Sequence, residues 1–343
     1  MSTPPTVLSF FTGVGGFDRG FEQAGFTIVG QVENDPAASS VLARDWPGIP
    51  NFGDIAHVHA AQLPEADVWV GGFPCQDLSV AGRRAGLAGA RSGLFFAWHR
   101  LLRSRQPGWV VIENVPGLLS SNGGRDFAVV LGGLTGRLPA VPARGWANTG
   151  FARGGEGCYH VAWRVLDALY FGVPQRRRRL FLVADRGDGR CADVLFERAG
   201  GGGHPPAYIT AGAPYARMLA AGVGGARDGD LIASVAENQR GEVRMADYAP
   251  ALIAAGGGKP GSGYSAVLIR TPGGETRVRR LTPREYERLQ GFPDDGTAGQ
   301  SDHTRYAQMG NAVCVKVVAW LAQRLMASLV AQEAPAAAGQ VAH

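Results

Sequence analysis

Lysine is nearly missing from this 343-residue chain: of its 34 basic residues only Lys259 and Lys316 are lysines, which leaves 32 arginines. Two readings of that bias stay open. Arginine's planar fork of donors suits phosphates and the guanine edge, and a high-GC coding sequence yields the same excess whatever the function. The net charge of +5 leans toward a polyanionic partner without demanding one. Cysteine is scarce too. Cys75, Cys158, Cys191 and Cys314 show no CxxC pairing and no nearby histidine cluster, which argues against a zinc site and against a disulfide framework. No apolar run reaches membrane-spanning length, and the most apolar late stretch, Ala312 to Val330, carries Lys316 and Arg324 and repeats like an amphipathic helix. The N-terminus has no basic segment followed by an apolar core, so no secretory signal is expected and the cytoplasm is the default location. What is present, 45% hydrophobic and 18% charged residues, is enough for one large domain with a good core plus a smaller one.

The first part of the chain alternates short apolar runs with helical patterns. Strands are expected at Thr6–Phe11, Thr27–Val32, Asp67–Val70, Trp109–Ile112 and Leu180–Ala184, with a helix over Asp18–Ala24. That alternation implies parallel pairing through crossovers, hence an α/β doubly wound, mostly parallel sheet. From about Arg186 the texture changes to glycine-punctuated sequence with few long apolar runs, expected as a smaller, loop-rich module over residues 186–279. Leu138–Gly157, rich in Gly, Pro and Arg, is expected as a long surface loop. Order resumes at Arg280. A helix is expected over Thr282–Gln290, where Thr282, Pro283 and Glu285 form a capping box. Another is expected from Asn311 to about Ala331, and residues 332–343 as a frayed tail.

Polar and glycine residues fall where the expected strands end, which is where open α/β sheets bind ligands. Gly13-x-Gly15-Gly16 follows the first strand and opens the first helix, an arrangement that lets backbone N–H groups approach a ligand. A dinucleotide fingerprint would need a third glycine where the chain has Asp18, so a cofactor without pyrophosphate, such as S-adenosylmethionine, fits better. Glu33 ends the second strand, where a carboxylate can take both ribose hydroxyls of an adenosyl group, and Asp54 could accept from an adenine amino group. The decisive segment is Gly71-Gly-Phe-Pro-Cys-Gln-Asp-Leu-Ser79. A lone cysteine is usually a small buried hydrophobe, yet Cys75 sits just past a strand, restrained by Pro74, where a nucleophile is displayed. Glu113, ending another apolar strand, can be held protonated beside a dry pocket and serve as an acid, or merely cap the next helix. In Pro174-Gln-Arg-Arg-Arg-Arg-Leu-Phe181, an extended chain turns Gln175, Arg177 and Arg179 to one side and Arg176 and Arg178 to the other.

Phe10-Phe-Thr-Gly-Val-Gly-Gly16, Gly71-Gly-Phe-Pro-Cys-Gln76, Glu113-Asn-Val115, Gln175-x-Arg177-x-Arg179, Arg280-x-Leu-Thr-Pro-Arg-Glu285 and Gly310-Asn-Ala-Val313 together resemble the ordered motif set of cytosine-5 DNA methyltransferases. The resemblance spans residues 7 to 320. It implies a class I S-adenosylmethionine-dependent methyltransferase fold with a target-recognition domain at 186–279, completed by the return segment 280–331 onto residues 1–185. It implies Cys75 as covalent nucleophile at cytosine C6, Glu113 as acid toward N3, and Arg177 and Arg179 as holders of the base edge. It implies a cofactor site for S-adenosylmethionine made by Phe11, Gly13, Gly15, Gly16, Glu33, Asp54, Ile55, Pro74, Leu94, Asn311 and Ala312. The implied partner is double-stranded DNA whose target base is flipped out, bound by a monomer, with no membrane and no metal. There are three departures from the family: some members carry an acid at Ser9 and an aromatic residue at Asn34, and many carry a Thr-Leu pair in the recognition domain, where the nearest candidate here is Ala251-Leu252 and no phosphate contact is assigned. A tRNA cytosine methyltransferase of the same superfamily and an inactive DNA-binding relative stay as alternatives. The long 186–279 segment argues against the first, and the intact Cys75, Glu113 and Arg179 against the second.

Overall fold

The computed structural model describes residues 3–74, 93–196, 231–237, 243–246, 248–252, 265–270 and 273–333. Cys75 therefore lies outside the described residues, as do the glycine runs at 200–203, 222–225 and 256–258 and the last ten residues of the expected tail.

Four strands, β1 (Thr6–Phe10), β2 (Thr27–Val32), β3 (Val68–Gly71) and β4 (Trp109–Asn114), pair in parallel in the order β2-β1-β3-β4. Their near-continuous apolar sequences suit strands buried on both faces; every residue of β3 is buried. Helices α1 (Gly16–Gln23), α2 (Pro36–Asp45), α3 (Leu94–Arg105) and α4 (Arg125–Thr135) fall between or after them. The start of α2 is set locally: Asp35 caps it by accepting from the Ala38 amide at 2.7 Å, with Pro36 in the first turn.

The sheet continues as β4-β7-β6-β5, with β5 (Thr149–Ala152), β6 (His160–Asp167) and β7 (Arg178–Asp185) all paired antiparallel to their neighbours. Five of the seven strands thus run one way, β5 and β7 the other. The stretch 138–157 is not the continuous loop its composition suggests, because it carries the edge strand β5. That strand is fixed by aromatic packing rather than by its own apolar pattern. The Trp163 ring lies where a side chain on Gly150 would go, 2.2 Å from an added Cβ, and it meets Trp146 and Phe127 edge-on.

After β7 the chain forms the short helix α5 (Cys191–Leu195) and then a second sheet. β8 (Leu231–Glu237), β9 (Val243–Ala246), β10 (Ser265–Arg270) and β11 (Thr276–Arg280) form a four-stranded antiparallel sheet in the order β11-β10-β8-β9. Then α6 (Pro283–Leu289) starts at the Thr282 capping box, in which Glu285 reaches back to the Thr282 amide at 2.7 Å. The helix expected from Asn311 begins instead at Val315, and a further helix, not expected from the sequence, precedes it. α7 (Asp302–Asn311) comes first, Ala312 is extended (φ −63°, ψ 147°), and α8 (Val315–Glu333) follows. α8 lies against α1 so closely that an added Cβ on Gly20 would sit 2.4 Å from the Val318 side chain. The C-terminal helix is thereby packed on the first helix of the chain, its Val317, Leu321 and Leu325 buried in the core on that side of the sheet.

Candidate active site

A cavity of about 760 Å³ opens at the carboxyl ends of β1 to β4, the position a doubly wound sheet reserves for ligands. Phe11 and Gly13 reach it from the end of β1, Glu33 from β2, Gly72 to Pro74 from β3, and Glu113 to Val115 from β4. Arg177 and Arg179 close one side, and Thr304, Ala307, Gln308, Asn311 and Ala312 of the return segment close another.

At the glycine-loop end the backbone does the holding. Glu33 accepts from the Gly13 amide and from the Asp35 amide, each at 2.7 Å, so one carboxylate ties the loop after β1 to the turn after β2. Gly13 has φ +57° with nothing within 4 Å of an added Cβ, leaving open space over its Cα. Gly15 and Gly16 are small for packing: added Cβ atoms would strike Trp46 at 2.4 Å and Val313 at 2.7 Å. Phe11 lines the cavity with a left-handed backbone (φ 50°), a strained conformation for a bulky residue. Under the loop, buried Asp18 accepts from Ser9 Oγ at 2.9 Å and from Gln31 Nε2 at 2.8 Å. Burial lifts its pKa to about 6 against the pull of these hydrogen bonds. Ser9 thus faces Asp18 in the core rather than the cavity.

At the other end, Glu113 Oε1 lies 3.0 Å from Arg179 Nε, with about a seventh of each side chain exposed. Burial pushes the Glu113 carboxyl above the usual carboxylate range, while the charges of Arg179 and Arg177 oppose the rise. An added Cβ on Gly72 would lie 3.2 Å from the Glu113 carbonyl oxygen and from its Oε2, a tight contact that a side chain here would relieve only by pushing Glu113 a few tenths of an ångström. Asn114 donates from Nδ2 to the Phe73 carbonyl at 2.9 Å.

Along 175–179 burial alternates: Gln175, Arg177 and Arg179 are turned in, and Arg176 and Arg178 are exposed. The two inward arginines nevertheless differ. Arg177 spends its guanidinium on three backbone carbonyls, Leu252 (3.1 Å), Gly310 (3.0 Å) and Ala312 (2.8 Å), whereas Arg179 meets Glu113. Arg177, which also lines the cavity, thus clamps the second module, the return segment and the sheet together. Gln175 donates to the Leu289 carbonyl at 3.0 Å, and its neighbours pair with Ala249, extending the clamp.

Asp54, Ile55, Leu94 and Asn34 do not line the cavity. Asp54 accepts from the Ala56 amide at 2.9 Å, Ile55 is buried in the core, and Asn34 is exposed. Sequence reasoning missed the wall made by Thr304, Ala307 and Gln308, whose spacing of three and four before Asn311 places them on one face of α7. No group of three or more potential metal-ligating side chains occurs among the described residues.

The family model of C-5 cytosine-specific DNA methylase matches residues 6–136, 151–197 and 232–327. The chain is 31% identical over 340 residues to the Type II methyltransferase M2.BsuMI of Bacillus subtilis, covering 93% of this chain and 75% of that protein. It is 31% identical over 339 residues to M.NlaX of Neisseria lactamica, covering 95% and 97%. Among solved structures, the methyltransferase EhMeth of Entamoeba histolytica superposes with a TM-score of 0.65 at 15% identity, covering 96% of this chain and 99% of that one. The S. pombe Dnmt2 methyltransferase gives 0.63 at 17%, covering 95% and 99%. At those identities the structural likeness speaks for the fold alone.

Proposed function

The chain belongs to the C-5 cytosine-specific DNA methylase family and is a DNA cytosine-5 methyltransferase, and from that premise we propose which of its residues carry the reaction. Cys75 is the nucleophile, Glu113 the acid, Arg179 the residue that orients and balances Glu113, and duplex DNA the substrate. The observation that carries this reading is the Glu113–Arg179 pair at the wall of a cavity whose opposite end is built from Gly13 and Glu33.

Cytosine C5 is a poor nucleophile while the ring is aromatic. Attack of the Cys75 thiolate on C6 breaks that aromaticity and leaves C5 enamine-like. The negative charge that develops runs toward N3, where Glu113, whose carboxyl burial pushes above the usual carboxylate range, acts as the proton donor. Arg179 holds Glu113 in register and faces the base edge. After C5 has gained its methyl group, loss of the C5 proton, elimination of the thiolate and return of the N3 proton to Glu113 restore the ring and free Cys75. Both reacting atoms are stacked inside a duplex, so the base leaves the helix first.

The cavity fits S-adenosylmethionine as the methyl donor: there is free space over Gly13, a carboxylate at Glu33 for ribose hydroxyls, and room for both a nucleoside and a base. When bound, it supplies an electrophilic methyl group. Phe11, Gly13, Glu33, Pro74, Asn311 and Ala312 line the space it would take, and Gly15 and Gly16 shape the loop. The four strands of the second sheet, β8 to β11, act as the core of the target-recognition module, and the enzyme works as a monomer.

The test is covalent trapping. A duplex with 5-fluorocytosine at the target position has no C5 proton to lose, so the protein–DNA adduct accumulates. A denaturation-resistant adduct that maps to Cys75 and vanishes in Cys75→Ser is expected. Trapping that persists in Cys75→Ser, or that forms on tRNA and not on duplex DNA, would overturn the assignment.

A further inference from the structure

Asn114, the last residue of β4, has no part in the chemistry above, yet it is buried and both ends of its side chain are engaged. Nδ2 donates to the Phe73 carbonyl at 2.9 Å across 41 residues of sequence, and Oδ1 accepts from the Val115 amide at 2.9 Å. Beside this contact Gly72 abuts Glu113, with an added Cβ 3.2 Å from its Oε2. The Phe73 ring is separately anchored against Phe95, centroids 5.0 Å apart. One carboxamide therefore fastens the strand end that carries the acid to the main chain that continues through Pro74 into Cys75.

We propose that Asn114 is a positioning residue for methyl transfer, whose side chain sets the spacing between Glu113 and the Pro74–Cys75 segment. The inference rests on the roles given above to Glu113 and Cys75. The chemistry of the site asks for an amide: one end must donate to a carbonyl and the other must accept from an N–H. A carboxylate offers two acceptors, so Asn114→Asp would leave the Phe73 carbonyl without its donor. It would also set a second negative charge beside Glu113, pushing that acid further up. Asn114→Ala leaves both backbone groups without partners, and Asn114→Gln keeps the chemistry but lengthens the brace by one methylene. Misplacing reacting groups by about 1 Å costs on the order of 10²-fold in rate.

The experiment measures the rate of adduct formation on a 5-fluorocytosine duplex by the full chain with S-adenosylmethionine. Alongside, it measures affinity for S-adenosylhomocysteine and for the unmodified duplex. In Asn114→Ala the adduct rate should fall about 10²-fold while both affinities stay within about threefold, a loss confined to the chemical step. In Asn114→Asp the pH limb belonging to Glu113 should move to higher pH, a shift that a merely structural residue would not produce. If Asn114→Ala fails to fold, Asn114→Gln carries the same test, with the rate falling at constant affinities. An unchanged adduct rate, or affinities that fall as far as the rate, would overturn the proposal. Absence of any adduct with the wild-type chain would sink the assignment of Cys75 instead.

Discussion

The two ends of the cavity each hold a glutamate at the end of a parallel strand, and they hold it by different means. Glu33 is fixed by two backbone amides that no side-chain truncation removes and no ordinary pH change titrates. Glu113 is fixed by burial and by a side-chain cation, Arg179. The difference follows from what each acid is asked to do. A carboxylate that receives hydroxyl donors needs a constant charge, whereas one that gives up a proton needs a pKa that its surroundings can tune.

Substitutions can sharpen or break that contrast. Glu113→Gln should lower kcat by about 10²–10⁴-fold, the usual worth of a general acid, with S-adenosylmethionine affinity nearly unchanged. An equal loss of cofactor affinity, read by calorimetry, would place Glu113 with Glu33 instead. Arg177→Ala strips three backbone carbonyls of their donor and should cost about 3 kcal/mol or more of stability, each buried acceptor being worth roughly 1–3. Denaturant unfolding checks it, and a change below about 1 kcal/mol would show that water replaces the clamp.

Asp18→Asn tests the foundation under the glycine loop. The folded pKa of Asp18 is raised, to about 6 from 3.8. Its contribution to stability is therefore full below the unfolded value and is lost as pH rises through about 6. Relative to Asp18→Asn, the wild type should lose up to about 3 kcal/mol between pH 4 and 7, at about 1.4 kcal/mol per pKa unit. Parallel melting curves for the two proteins over that range would show Asp18 to be ionised throughout. Glu33→Ala should weaken S-adenosylhomocysteine binding by about 10–100-fold, the worth of hydrogen bonds to a charged group, and leave the 5-fluorocytosine trapping rate at saturating cofactor nearly intact.

Much of the donor end was legible in the sequence because its determinants are local: a glycine turn, a strand-terminal acid and a capping box are each read within a few residues. The acid end was legible only as a set of strand ends, and what joins them was not. Arg177 finds carbonyls 75 and 133 residues away, and backbone carbonyls carry no mark in a sequence. The same holds for Asn114 and Phe73. The edge strand β5 escaped because its residues lack an apolar alternation and owe their place to Trp146 and Trp163. The break at Ala312 escaped because Asn311 and Ala312 fit a helix locally, while the clamp from Arg177 draws both neighbouring carbonyls away from the helical ladder. At Ser9, where the chain departs from the family, the hydroxyl reaches Asp18, so a carboxyl is still present under the loop.

The packing of α8 on α1 also sets a schedule. A chain emerging from the ribosome at about 5–20 residues per second delivers residues 1–185 on the order of ten seconds before the helix that covers α1. Through that interval the seven strands can pair, but the side of α1 that α8 covers faces water and the cavity lacks its Asn311–Ala312 wall. A ribosome that stops in the second module releases a sheet prone to aggregate and unable to close its site.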